Sequence, residues 1–147
     1  MKQRLRADLT TAMKARDELR TATLRMVLTA VSAEEVSGPE ARELTDDEVQ
    51  AVLRREAKKR REAAEAFTGA GRAEQAARER AEGEVLATYL PAQLDDADLA
   101  AIVADVVTRT GAVGVRDMGK VMGAVQGAVA GRAEGSRVAA EVRRQLA

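Results

Sequence analysis

Cysteine, histidine and tryptophan are absent from the 147 residues, and the chain holds one tyrosine, one phenylalanine and two prolines. Without cysteine there are no disulfides, no thiolate nucleophile and no Cys or Cys/His zinc site. Without histidine every imidazole acid–base scheme is lost as well. A reducing cytosol fits a chain free of cysteine. With aromatics at 1%, the core has to be built from Ala, Val, Leu and Met. No run approaches the roughly 20 apolar residues that cross a membrane, and residues 1–6 lead straight into a charged pattern with no apolar signal core. These features predict a cytoplasmic protein without membrane contact.

Net charge is missing too. Lys plus Arg and Asp plus Glu stand at 24 each, and residues 92–147 carry seven of each sign. No global field draws the chain to nucleic acid or an acidic membrane, so DNA is not an expected partner and any anion must be met by a local patch.

What is present is helical. Leu5, Leu9, Ala12 and Met13 fall at helical spacing in 2–16. A helix from about Asp17 to Ser37 carries two apolar stripes, Leu24/Val27/Leu28/Val31 and Met26/Ala30/Ala33, which mark it as the centre of a first bundle. Thr45 and Glu48 form a capping box for a helix running to about Phe67. Gly69-Ala70-Gly71 turns it into a fourth helix that ends at Pro91, giving a long αα-hairpin. The pairs Glu56/Arg60 and Glu74/Arg78 are expected on the hairpin's outer faces.

After a linker at 92–94, Asp95 or Asp96 caps a helix with Leu99, Ile102, Val103 and Val106 inward. A second helix, from about Val115 to Ala130, buries Met118, Val121, Met122, Val125 and Val129. Ser136 is expected to cap a third, with Val138, Val142 and Leu146 inward. The predicted fold is all-α: an N-terminal domain of about four helices over 1–91 and a C-terminal three-helix module over 95–147.

The costliest stretch is 117–135. Gly119, Gly123 and Gly127 recur every four residues in a helix, each about 1 kcal/mol worse than Ala there. One face is therefore smooth, and two readings stand side by side: close packing of a neighbouring helix, or approach by a ligand. Lys120 lies beside this row, and the loop Gly131 to Gly135 adds Arg132, a residue suited to a phosphate or sugar edge. A basic run on the third helix, Arg54, Arg55, Lys58, Lys59, Arg60 and Arg61, is a second place for phosphates. With Glu56, Glu62 and Glu65 at pairing distance, a solvated face is the reading favoured there.

No catalytic site emerges. The serines lack a base, no Gly-Lys-Ser/Thr loop follows a strand, and Asp95, Asp96 and Asp98 read as caps rather than Mg²⁺ ligands. No metal or cofactor is expected.

Several segments resemble the GatB/YqeY family, and specifically its YqeY-like proteins. They are Glu43 to Val49, the Arg55-Glu56…Lys59-Arg60…Glu62 helix, Ala70-Gly71-Arg72, Tyr89-Leu90-Pro91…Gln93-Leu94, Thr110-Gly111-Ala112, and Asp117 to Gly123 through Gly131-Arg132-Ala133. Their order spans nearly the whole chain. The resemblance implies an N-terminal helical part and a C-terminal module similar to the tail of the B subunit of tRNA-dependent amidotransferases, which helps hold tRNA. It implies that Lys120, Gly123, Gly131 and Arg132 lie near RNA; Arg55 and Lys59 of the basic run are the further nucleic-acid candidates. The partners it implies are tRNA and a tRNA-processing or aminoacylation protein. The chain lacks that subunit's catalytic domain and an amidase Ser–Ser–Lys signature. A non-catalytic accessory role is thus the leading expectation. The alternatives are a module docking a partner helix on the glycine face, and a component of a carbon–nitrogen ligase with glutamine as amido-N donor.

Overall fold

The computed structural model describes residues 1–147 as an all-α chain. Its helices are α1 (Lys2–Lys14), α2 (Glu18–Glu35), α3 (Asp46–Gly69), α4 (Ala73–Ala87), α5 (Asp96–Thr110), α6 (Met118–Val129) and α7 (Gly135–Leu146), with a 3₁₀ turn at Val115–Asp117. The contacts divide into two units, Met1–Leu90 and Pro91–Ala147.

In the first unit α2 packs against α1, α3 and α4. Leu24, Val27 and Val31 are fully buried among Leu5, Val49, Leu53 and Leu86, so α2 is the central helix. Its second expected stripe is covered only at Ala30, which packs against that core. Met26 is 51% exposed, with the buried Arg60 of α3 reaching its sulfur at 3.6 Å, and Ala33 is on the surface. Met13 of α1 is likewise 49% exposed rather than inward.

The start of α3 follows the capping box. Thr45 Oγ1 accepts from the Glu48 amide at 3.3 Å, and Glu48 Oε2 accepts from the Thr45 amide at 2.8 Å. Arg42 grips the same carboxylate through two bonds of 2.6 and 2.9 Å. The Arg42 guanidinium, followed by the Thr45 amide, holds Glu48 at a pKa of about 2 against an ordinary 4.5. A folded-state pKa below the unfolded one contributes stability that is complete above the unfolded value and drains away as pH falls from there toward 2. Arg42→Ala is expected to return the Glu48 titration, followed by carboxyl-carbon NMR, most of the way to the ordinary carboxylate range. A titration still centred near 2 would assign the shift to the cap alone.

α3 and α4 form the antiparallel hairpin. Gly71, at φ 71°, lets the Arg72 amide reach back to the Phe67 carbonyl at 2.8 Å and reverse the chain. The ion pairs of this hairpin differ from expectation. Glu56 and Arg60 are 8% and 4% exposed and face inward, not outward. Arg60 Nη1 donates to Glu56 Oε2 at 2.9 Å, while its Nε lies 3.3 Å from Glu82 Oε2 on α4. Glu82 is itself 6% exposed. Arg78 turns away from Glu74 to meet Glu82 at 3.2 Å. The reason is compositional. Beyond Leu53 and Leu86, the facing residues of the hairpin thin out to Ala64 and Ala76, and the long side chain of Arg60 fills the interval that no large apolar residue supplies.

The second unit is a three-helix module. Asp95 caps α5 by accepting from the Asp98 amide at 2.7 Å, and Gly111 ends it at φ 67°. Each helix contributes one row to the core: Leu99/Val103/Val106, Val121/Val125/Val129 and Val138/Val142/Leu146. Leu94, expected in a linker, is 7% exposed and joins that core, and its amide donates to the Arg132 carbonyl at 2.8 Å. Two further boundaries shift. The turn at Val115–Asp117 is 3₁₀, so α6 proper starts at Met118. The N-cap of α7 is Glu134 rather than Ser136, because the chain completes its reversal at Ala130 and Gly131 and is already helical by Gly135.

Candidate nucleic-acid interface

The geometry of α6 bears on the first reading of the glycine row, close packing inside the module. Residues two apart on an α-helix lie 200° round from each other, so Gly119, Gly123 and Gly127 fall opposite Val121, Val125 and Val129. With the valines in the core, the glycines face out. All three are exposed, and a Cβ built on any of them would meet nothing within 4 Å. Close helix packing inside the module is therefore not why these positions are glycine. The face is smooth, solvent-accessible and about 12 Å long between Gly119 and Gly127 at 1.5 Å per residue.

Its two ends are built differently. At the start, Lys120 is exposed but occupied: its Nζ donates to the Thr110 carbonyl at 2.9 Å, closing the C-terminus of α5. A lysine there satisfies an orphan carbonyl and complements the negative end of the α5 dipole. Lys120 is thus first a structural cap, and only the remaining protons of its ammonium face solvent. At the far end, Ala130 and Gly131 adopt φ 50° and 76°, reversing the chain after α6. The backbone of Arg132 is then pinned from both sides: its amide donates to Val129 at 3.0 Å and its carbonyl accepts from Leu94. The loop that carries the Arg132 side chain is thus tied at its backbone, and the residue as a whole is half-buried. Lys120 and Arg132 flank the face from opposite ends and do not form one clamp.

The loop before α6 holds residues that the sequence did not single out. Val113 is 91% and Val115 55% exposed, with Arg116 on the surface beside them. The Val113 amide donates to Asp117 Oδ2 at 2.9 Å, which ties the loop to the start of α6. Two glycines bracketing a short apolar segment, Gly111 and Gly114, were the available signal for an exposed turn.

Arg55 and Lys59, on α3 of the first unit, are both engaged. Arg55 Nη2 meets Glu34 at 2.8 Å and Lys59 Nζ meets Glu56 at 2.9 Å. Burial pushes the Glu56 carboxyl up, but the bonds from Lys59 and Arg60 outweigh it and hold the group below the usual range. With Lys58 paired to Glu62 at 3.8 Å and Arg60 buried, the basic run is largely neutralised within its own unit.

Acidic residues near the second unit's helix ends are also spent on structure. Asp95 is a cap, Asp96 pairs with Arg137 at 2.8 Å and Asp105 with Arg109 at 2.8 Å. No group of three or more acidic side chains is arranged to hold a metal ion.

A search of curated proteins returned no match. The model of the family described as Yqey-like protein, in contrast, matches residues 2–146, which takes in both units and the whole glycine-faced helix. Over that span the chain belongs to the YqeY-like family.

Proposed function

We propose that the chain is a non-catalytic accessory protein that binds tRNA through the C-terminal module, with the glycine face of α6 as the contact and Arg132 as its principal cation. Membership of the YqeY-like family supports a general role associated with tRNA amidotransferases. The observation that carries the finer reading is the exposure of Gly119, Gly123 and Gly127 with no neighbour within 4 Å. Three helix-weakening residues on one solvent face have no internal packing to account for them. A backbone without side chains admits a bulky sugar–phosphate edge to van der Waals distance, and Arg132, held rigidly at one end, supplies a planar donor fork for phosphate.

Gel shifts with total tRNA at low salt test the reading. The wild-type chain is expected to bind. Arg132→Ala is expected to weaken binding severalfold and reduce the slope of log affinity against log salt by about one unit, with an unchanged circular dichroism spectrum. Absence of wild-type binding at low salt, or an Arg132→Ala variant that binds equally well, sinks it.

A second reading, docking of a partner protein's helix on the same face, is favoured by Val113 and Val115, whose apolar surface at the start of α6 suits a protein better than an RNA. Val113→Ser with Val115→Ser separates the two. The helix-docking reading expects no tRNA binding by the wild type and a partner protein lost from this variant; the RNA reading expects tRNA binding that this variant keeps and Arg132→Ala weakens.

A further inference from the structure

We infer that the α1/α2 face of the first unit is a docking groove for an acidic amphipathic helix of a partner protein. The inference is independent of the reading given to the C-terminal module. Two adjoining concavities, of about 330 and 440 Å³, open along this face and share Arg25 as a common wall. Leu9 and Leu28 form the floor of one, only partly covered by the core below. Met13 forms the floor of the other and is 49% exposed. A half-exposed methionine beside leucines is an adaptable apolar surface of the kind that receives helices.

Charge gives the groove its preference. Arg25 has no carboxylate partner; its guanidinium reaches only the Met13 sulfur, at 3.8 Å. Arg16, in the turn between the helices, is exposed and likewise without a carboxylate. It adopts φ 56°, a left-handed conformation that residues other than glycine rarely take, in the turn at one end of the groove. Two arginines without a carboxylate partner, set at an aliphatic floor, complement carboxylates carried on an apolar helix face.

The dimensions fit a helix. From Glu18 to Ser32 the α2 side of the groove extends about 21 Å, roughly four turns. Arg16 stands in the turn just before α2, and Arg25 lies about 10.5 Å along the helix from its first residue, Glu18, a distance that two turns of a docked helix span. The matching segment therefore carries Asp or Glu at i and i+7, with apolar residues at i+3 and i+4 directed to Met13, Leu9 and Leu28. Glu18, at the Arg16 end, favours a Lys or Arg at that point and sets the direction of the docked helix. RNA fits less well. No aromatic ring lines the groove for base stacking, its floor is aliphatic, and Glu18 repels phosphate.

A photo-cross-linking side chain at Thr29, on the groove wall, in the full chain in its native cells provides the test, with the same group at the exposed Thr108 of α5 as control. The expected product is a cross-link, specific to position 29, to a protein segment with the acidic and apolar spacing given above. A synthetic peptide of that segment is then expected to bind the wild-type chain by fluorescence anisotropy. Arg16→Glu with Arg25→Glu should weaken it at least tenfold, and a peptide with its two acids changed to arginine should regain affinity for that variant. Both arginines are exposed, and an unchanged melting curve verifies the fold. Cross-links at 29 to RNA or to a second copy of the chain, products no different from the control, or a peptide indifferent to charge reversal each overturn the proposal.

Discussion

Arg60→Ala is expected to destabilise the N-terminal unit by about 3–5 kcal/mol, the cost of removing one partner from a buried ion pair. This is far more than the few tenths that an exposed i,i+4 pair contributes. The difference lies in what is left behind. Arg60 stands between Glu56 and Glu82, at 2.9 and 3.3 Å, with all three side chains about nine-tenths buried or more. Truncation leaves two carboxylates across the α3/α4 seam, with only Lys59 and Arg78 at its margins to balance them. Its guanidinium is also imperfectly used, since the buried Nε makes no well-directed hydrogen bond despite the short approach of Glu82. Replacing all three together, Arg60→Met with Glu56→Leu and Glu82→Leu, is therefore expected to restore stability to the wild-type level or above it. Urea denaturation followed by circular dichroism reads both results. A single variant that loses less than 1 kcal/mol would mean that the seam is wetter than its burial indicates.

How this triad differs from the sequence expectation shows where the chain was legible. The α3 start was readable because Thr45 and Glu48 act within one turn, and local chemistry of that kind is decided before any tertiary contact forms. The apolar rows Leu99/Val103/Val106 and Val138/Val142/Leu146 were readable for the same reason, being periodic and strongly apolar. Glu56 and Arg60 were not, because a charged pair at i,i+4 has the same spacing on either face. Which face is covered depends on α4 bringing Glu82 alongside. Lys120 was found but its first duty was missed, since its acceptor lies ten residues back at the end of another helix. The orientation of the glycine row, by contrast, was available. Once Val121, Val125 and Val129 are assigned to the core, helical geometry alone sends positions 119, 123 and 127 to the opposite side. The row could not lie beside the buried residues and also serve the module's own packing.

That orientation yields the second large effect. Gly119→Ala, Gly123→Ala and Gly127→Ala together are expected to stabilise the C-terminal module by about 2–3 kcal/mol, since each replacement recovers up to about 1 kcal/mol of helix propensity. Each new methyl group also enters open space. None of the three glycines has a positive φ, so alanine adopts the same backbone without strain. Thermal unfolding of the full chain checks this, with the upper or lower transition assigned to the module by a core variant such as Val125→Ala. The same substitution places three methyl groups on the surface proposed to meet tRNA, and binding there is expected to fall at least tenfold while stability rises. The two responses have opposite signs, which a simple loss of fold cannot produce. A triple variant that is more stable and binds tRNA as well as the wild type would remove the glycine face from the interface and leave Arg132 to be explained by the loop alone. A variant that is less stable would instead reveal a close neighbour of α6 in solution and reopen the helix-docking reading on that face.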